Sequence, residues 1–364
     1  MALFGPSSAV LGLDIGTSSF KVVELLARRK GLEVATYAQA NLPNLLTEVV
    51  GDDADEIQAV AAVITRMLDQ AGVSTDQVVA ALPSSVVFST VLTLPDIPDQ
   101  DMEKAVNFAA RDVVPANLDD MVLGWSRVGQ APHMNTKASS PTSAPTAPAA
   151  GPAIPVFVTA APKELVARYT KLMEVMRLEL VALEVETFPL VRSLLASPTD
   201  SALIIDIGDR VTTFHIIDAG TPRVSHTIEY GGLSISQTIS ELMSTSLSKA
   251  EEMKVEHGLG TTAPKDLLAA VTSAMEHITS AATQLVKLYE RREGHAINKS
   301  ILIGGGANLR GLADLWTKVV GHKTVVGHPW RGMAFPKELD KRLQQLGPTY
   351  AVAVGLAQRG FSQV

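Results

Sequence analysis

The residues best suited to chemistry occur as two copies of one short pattern. Asp14-Ile15-Gly16-Thr17-Ser18-Ser19 and Asp206-Ile207-Gly208-Asp209-Arg210-Val211-Thr212-Thr213 each set a carboxylate and a glycine directly after a run of branched aliphatic residues. At the end of a buried strand such a carboxylate can order a metal ion. The glycine lets backbone approach a ligand, and hydroxyls together with N–H groups can hold a phosphate. One copy alone also makes an ordinary hairpin turn. Two copies allow more, because facing hairpins can pinch a triphosphate, with Asp14 and Asp206 near its metal and Lys21 close to a phosphate.

Other groups are weaker taken singly. Gly304-Gly305-Gly306-Ala307-Asn308 lies between an apolar strand and a helix, where missing side chains let a flat base or its sugar rest on backbone. It also reads as a tight strand-to-helix turn. Glu251 and Lys254 fall one helical turn apart and can reach ribose hydroxyls or simply pair in solvent. The eight histidines show no metal-ligand spacing such as H-E-x-x-H, so core and surface roles are expected of them. Arg291-Arg292 ends a helix, where cations favour the dipole.

These residues need a scaffold, and 364 residues with 46% hydrophobic and 19% charged side chains suffice for two or three folded domains. LGLDIGTSSFKVVELL reads as a hairpin, followed by a third strand over 32–39, a helix over 55–70 and a buried strand over 78–83. An inserted strand-helix-strand-strand-helix unit comes next, with helices at 99–113 and 163–176. Six prolines among residues 131–155 predict an extended loop there that joins neither helix nor sheet. LVALEVETFPLVRSLL returns to a strand and helix, and SALIIDIGDRVTTFHIIDAG then repeats the opening pattern. Helical segments cover 234–256 and 264–292, a last strand runs through SILIGGGANL, and PTYAVAVGLAQRG forms the final helix.

Composition excludes several classes. There is no cysteine, hence no disulfide, thiolate zinc site or thiol nucleophile. A net charge of -7 gives no general attraction to nucleic acid or anionic lipid. No continuous apolar run reaches a membrane-spanning length, and the first basic residue is Lys21, so a cytoplasmic location is expected.

The order DIGTSS, insertion, DIGDRVTT, Gly231-Gly232, AEEMK and GGGANL resembles the actin-like ATPase superfamily, which includes actin, Hsp70-type chaperones, sugar kinases and FtsA. MALFG, LPDIPDQDMEKAVNFAARDVVPANLDDMVLGW, VTAAPKELVARY and GPTYAVAVGLAQRG are similar to the PilM family of type IV pilus assembly proteins. The resemblance implies an α/β, actin-like ATPase fold of two lobes. Subdomain 1A would span 1–83 and 179–200, and 1C would span 84–178, carrying the flexible 131–155 loop. Subdomain 2A would span 201–240 and 296–364, and 2B would span 241–295.

The resemblance further implies a cytoplasmic ATP-binding scaffold of the pilus inner-membrane assembly platform. Its partners would be the N-terminal cytoplasmic peptide of PilN and other pilus proteins, with membrane contact only through them, no nucleic acid, and a homodimer open. ATP and magnesium are the cofactors implied, with at most slow hydrolysis. The nucleotide residues carried over are Asp14, Gly16, Thr17, Ser18 and Lys21 in the first phosphate loop, and Asp206, Gly208, Thr212 and Thr213 in the second. Gly231, Gly232, Glu251, Lys254, Gly304, Gly305, Gly306, Ala307 and Asn308 complete the set. Asp14 and Asp206 would face the metal, and Glu186 with Asp206 would act on the attacking water. Asp209-Arg210 departs from the small residues usual in such a loop. A sugar or small-metabolite kinase and an FtsA-like division protein are the alternatives.

Overall fold

The computed structural model describes residues 9–42, 54–128, 133–134, 152–197 and 199–361. Strands β1 (Ala9–Ile15), β2 (Ser19–Arg28) and β3 (Gly31–Asn41) form an antiparallel meander. Helix α1 (Ala54–Ala71) follows, and β4 (Gln77–Leu82) returns parallel to β1. The next elements build a separate antiparallel sheet: β5 (Phe88–Pro95), α2 (Asp99–Ala110), β6 (Met121–Arg127), β7 (His133–Met134), β8 (Ala153–Pro162) and α3 (Lys163–Val175). Its order is β5-β8-β6-β7. The chain then rejoins the first sheet through β9 (Glu179–Val185), parallel to β4, and continues into α4 (Thr187–Leu194).

The second half repeats the first in outline. A meander of β10 (Ala202–Ile207), β11 (Thr212–Asp218) and β12 (Thr221–Ile228) precedes α5 (Gly232–Leu242), α6 (Leu247–Glu256) and α7 (Lys265–Glu293). Strand β13 (Lys299–Ile303) runs parallel to β10; α8 (Leu312–Val320), β14 (Lys323–Val326) and α9 (Asp340–Arg359) complete the chain. The two five-stranded sheets have matching orders, β3-β2-β1-β4-β9 and β12-β11-β10-β13-β14. Each therefore carries an Asp-Ile-Gly hairpin on its central strand.

Burial explains the sequence patterns. β1 is buried along its whole length and β4 along nearly all of it, as expected where both faces of a sheet are covered. Ile57, Val60, Ile64 and Leu68, spaced three to four apart on α1, join Tyr169, Leu172 and Met173 of α3 in the core on one side of the first sheet. The second sheet has its own outer core, built with Ile235, Val271, Ile278 and Trp316. Between the two sheets lies a third cluster, in which Val10, Val79, Ile204 and Ile303 meet Leu190 and Leu194 of α4 and Ala351, Val352 and Leu356 of α9.

Several elements depart from the sequence reading for identifiable reasons. The helical segment over 234–256 is two helices. Ser244 takes a positive φ of 49°, Ser240 Oγ donates to the Thr245 carbonyl at 2.6 Å, and Ser246 caps α6 by accepting from the Lys249 N–H. Short hydroxyl side chains here compete for backbone groups that a continuous helix would use. The final helix begins at Asp340, upstream of Pro348, whose carbonyl accepts from Gly304 N–H at 2.9 Å. Strand β14 is four residues long, too short to leave a pattern.

The proline-rich stretch is also used at both ends. His133–Met134 pairs with β6, and Ala153–Pro155 begins β8; Pro155 has no N–H to donate and contributes only its carbonyl, which accepts from Val128 N–H at 3.1 Å. The remainder of the expected loop lies outside the described residues. Helix α9, in the range expected to be subdomain 2A, packs on the first sheet: Tyr350, Ala353, Val354 and Ala357 join Val23, Leu25 and Trp330 in one cluster.

A buried ion cluster fastens this middle layer. Glu184 of β9 pairs with Arg192 of α4 and, at 2.8 Å, with Arg359 of α9, while Arg192 Nε donates to the Gly355 carbonyl at 2.9 Å. Polar contact continues into the second sheet, where His215 Nδ1 lies 3.3 Å from Thr187 Oγ1 and 3.0 Å from Ser225 Oγ. Burial drives the His215 pKa down to about 4, so this contact is made by a neutral ring.

The layer tolerates no added atom. A Cβ on Gly12 of β1 would fall 2.1 Å from the Ala353 carbonyl oxygen, and one on Gly355 would fall 2.0 Å from that of Pro189. Gly12→Ala and Gly355→Ala should each lower unfolding free energy by about 1–3 kcal/mol through overpacking, read by urea denaturation.

Candidate functional site

Both hairpins point into one cleft of about 580 Å³ between the two sheets. In the first, Gly16 N–H donates to the Ser19 carbonyl at 2.9 Å, which closes the turn and leaves Asp14 paired across the strands with Lys21. In the second, Gly208 N–H donates to the Val211 carbonyl at the same distance, and Asp206 lies opposite Thr213. The parallel register of β10 on β13 sets Asp206 beside Ile303, so the glycine run begins against this carboxylate. Gly304 has φ 78°, and a Cβ there would stand 2.3 Å from Asp206 Oδ1. Only glycine fits.

Asp14, Gly16, Thr17, Ser18, Lys21, Glu186, Asp206, Gly208, Thr213, Gly232, Glu251, Lys254, Gly304, Gly305, Gly306 and Asn308 all line the cleft. Three expected positions do not. The Thr212 side chain is fully buried and donates to the Tyr230 carbonyl at 2.7 Å, because alternation along β11 turns it to the face opposite Thr213. Ala307 is buried in the outer core of the second sheet. Gly231 sits ahead of α5, where a Cβ would meet the Asp209 carbonyl oxygen at 2.6 Å; its part is to let that turn approach the helix.

The sequence reading also passed over several lining residues. Gln39 and Asn41 arrive from β3, Pro83 and Ser85 from the loop after β4, Met275 from α7, and Thr349 and Val352 from α9. Gln39 had a signal, since a third strand paired in register sets it opposite Lys21. Contributions from α7 and α9 carry no local mark. Asp209 and Arg210 line the cleft as well.

Three carboxyl groups dominate its electrostatics. Asp14 is buried and its pKa is raised by that burial, an effect opposed by Lys21, whose Nζ is 3.6 Å from Oδ2. Asp206 is pushed up to about 6 by burial and by the charge of Asp14, again opposed by Lys21. Glu186 follows β9 at the start of α4. It is pushed up to about 8 by burial and by the Asp14 charge, although Ser84 N–H donates to its Oε2 at 2.9 Å. Like charges held close in a poorly solvated cleft resist ionisation together. A cation entering among them reverses this.

Across the cleft, Lys254 Nζ donates to Glu251 Oε2 at 2.7 Å and to the Gly232 carbonyl at 2.8 Å. Ser236 Oγ also donates to that Glu251 carboxylate. Burial raises the Glu251 pKa, but the hydrogen bonds from Lys254 and Ser236 outweigh it and leave the group below its ordinary value. The pair is thus a fixed, charged fixture beside the apolar Ile235, Val255 and Met275. Among the described residues, no group of three or more His, Cys, Asp or Glu side chains is arranged to hold a metal by itself.

Two α/β lobes of matching sheet order, enclosing a cleft between paired Asp-Gly hairpins, define the actin-like ATPase fold. The solved ethanolamine utilization protein EutJ from Carboxydothermus hydrogenoformans superposes with a TM-score of 0.54 at 14% identity, over 97% of this chain and 90% of that one. MreB 5 of Spiroplasma citri bound to AMPPNP does so with 0.52 at 13%, over 99% and 97%.

The chain belongs to the type IV pilus assembly protein PilM family, whose model matches residues 12–361. A PilM-PilN type IV pilus biogenesis complex superposes with a TM-score of 0.79 at 28% identity, covering 98% of this chain and 99% of the solved one. Cell division protein FtsA of Enterococcus faecalis is 22% identical over 345 residues, 84% of this chain and 75% of FtsA. Family membership makes this a type IV pilus assembly protein, and the kinase and division alternatives are not favoured. No helix among the described residues is long and apolar enough to cross a membrane.

Glu186 yields a test of the site's electrostatics. Its folded pKa of about 8 exceeds its ordinary 4.5, so the folded state keeps the proton longer and stability falls as pH rises between these values. Glu186→Gln removes this loss. The melting temperature of the variant minus that of the parent should increase from pH 5 to pH 8, by on the order of 2–4 °C per kcal/mol recovered, and level off above. A difference that does not vary with pH refutes the assignment.

Proposed function

We propose that this chain is an ATP-binding scaffold of the type IV pilus assembly platform, which takes ATP with magnesium in the interlobe cleft and binds the N-terminal cytoplasmic peptide of PilN. The observation that carries this reading is the near-complete superposition on a PilM-PilN complex at 28% identity. AMPPNP bound to MreB 5, together with the paired hairpins and the glycine run around one cleft, supports the nucleotide part.

Magnesium suits the donors. Asp14 and Asp206 flank the cleft with raised pKa values, a cation stabilises their ionised forms, and magnesium is commonly held by one or two carboxylates plus substrate phosphates. Thr17, Ser18 and the turn N–H groups of the two hairpins would hold phosphates, Glu251 and Lys254 the ribose, and the Gly304–Asn308 turn the base. Glu186, neutral at pH 7 in the free protein, would orient water only once a cation lowers its pKa; nucleotide here is a ligand first and a fuel at most slowly.

The subdomain division is part of the same proposal, with α9 counted to the first lobe. PilN would lie between that lobe and the inserted sheet, an extended peptide adding main-chain hydrogen bonds at a strand edge. The chain would then work at the inner face of the cytoplasmic membrane through its partner, beside other pilus assembly proteins.

A labelled PilN N-terminal peptide should bind in fluorescence anisotropy, and Mg-ATP should tighten it within the roughly 5- to 150-fold span of ordinary allosteric coupling. Asp14→Ala should weaken Mg-ATP binding by at least about tenfold in calorimetry, about 1.4 kcal/mol, and abolish that tightening. No peptide binding at high micromolar protein, with or without Mg-ATP, refutes the scaffold reading.

A further inference from the structure

The inserted unit joins the first sheet through the loop after β4 and through helix α3, and both attachments lead to one carboxyl group. On the entry side Ser84 N–H donates to Glu186 Oε2 at 2.9 Å. On the exit side α3 carries Tyr169, which is fully buried and shares the core of the first lobe with Ile15, Leu82 and Val185. Those three are the last residues of β1, β4 and β9. Their successors Gly16, Pro83 and Glu186 line the cleft, so this part of the core lies beneath its floor.

Tyr169 leans towards that floor. Helix α3 passes into β9 through a turn at residues 176–178, in which Arg177 takes a φ of 58° and Leu178 N–H donates to the Met173 carbonyl at 2.9 Å. The chain reverses there, which brings the N-terminal end of α3 towards the end of β9 where Glu186 stands. Side chains on a helix point back towards its N-terminus, and tyrosine is long. Burial raises the Tyr169 pKa, and the charges of Glu186 and Asp14 raise it further, as expected for a hydroxyl near both. Among the described residues, that hydroxyl has no hydrogen-bond partner. A buried hydroxyl left in this way is disfavoured, and a carboxyl group with about four acceptor positions has room for it beside Ser84.

We propose that Tyr169 is a positioning residue that couples the inserted unit to the cleft: when nucleotide occupies the cleft, the Tyr169 hydroxyl donates to the Glu186 carboxyl and draws α3 against it. The inference rests on the nucleotide reading given above. Glu186 lines the cleft, so a ligand acts on its carboxyl from one side while the hydroxyl lies on the other. Ser84 already holds Glu186 in the free protein, whereas the tyrosine contact belongs to the occupied state alone. A contact made in one state and not in the other shifts the balance between them.

The test compares the full chain with Tyr169→Phe, Glu186→Ala and the double variant, by calorimetry with Mg-ATP, melting temperature and hydrogen exchange of the α3 amides. Tyr169→Phe keeps the ring and its packing. It should not lower the melting temperature of the free protein, because the hydroxyl it removes makes no hydrogen bond there with the described residues. It should weaken Mg-ATP roughly three- to tenfold, the effect of one net hydrogen bond, and change affinity less than about twofold when Glu186 is already alanine. Mg-ATP should slow exchange along α3 in the parent and not in Tyr169→Phe. Lower stability of the free variant with unchanged affinity marks the hydroxyl as structural and overturns the proposal. Equal weakening with and without Glu186, or α3 exchange in the parent that is indifferent to Mg-ATP, overturns it as well, and in each case the nucleotide reading stands. A parent chain that binds no Mg-ATP overturns both.

Discussion

The constraint on which the rest of the molecule depends is the close packing of α4 and α9 between the two five-stranded sheets. Gly12 and Gly355 allow backbone-to-backbone approach there, and Glu184 with Arg192 and Arg359 ties β9, α4 and α9 together out of solvent. Charges buried this way are costly to desolvate and more costly to separate, so the cluster fixes which elements meet more than it adds net stability. The cleft is the space left on one edge of this layer. Its width depends on how the second sheet sits on helices that belong to the first.

The interface beside the cleft is better suited to small adjustment than to separation. Its centre is aliphatic and tightly packed, and its polar contact through Thr187, His215 and Ser225 uses a ring that burial keeps neutral. No charge has to be created or lost for the sheets to shift slightly. At the mouth, the two hairpin tips approach from opposite sheets. A ligand that touches both couples them.

Electrostatics give that coupling a direction. Burial raises the pKa values of Asp14, Asp206 and Glu186, and the charge of Asp14 adds to the rise at Asp206 and Glu186. The free cleft is therefore strained as pH rises, and the proposed divalent cation would relieve the strain by stabilising the ionised forms. Glu251 behaves in the opposite way, since Lys254 and Ser236 already satisfy it. One side of the cleft is unsettled without a cation and the other is set in advance, an arrangement fit for a ligand with a charged tail and a neutral head.

Local pattern made much of this legible. The hairpins around Gly16 and Gly208, the amphipathic spacing of Ile57, Val60, Ile64 and Leu68, and the repeated Asp-Ile-Gly triplets pointed to two similar lobes and allowed Asp14 and Asp206 to face one cleft, because strand alternation and helix periodicity act over a few residues; the fold class followed from the resemblance of the motif order. Serine-rich breaks such as Ser244–Ser246 needed the competition between hydroxyl and backbone to be resolved, which only the folded chain does. The sequence by itself determined that two similar α/β halves exist and which side chains could meet a phosphate. Tertiary structure decided that α9 returns to the first sheet, that Thr212 faces away while Thr213 faces in, and that Gln39, Met275 and Thr349 join the site. The return of α9 and the arrival of Met275 and Thr349 depend on contacts between residues far apart in the chain. Alternation separates Thr212 from Thr213 and strand pairing places Gln39, but which face looks into the cleft is set by how sheets and helices stack, a geometry that no local spacing encodes.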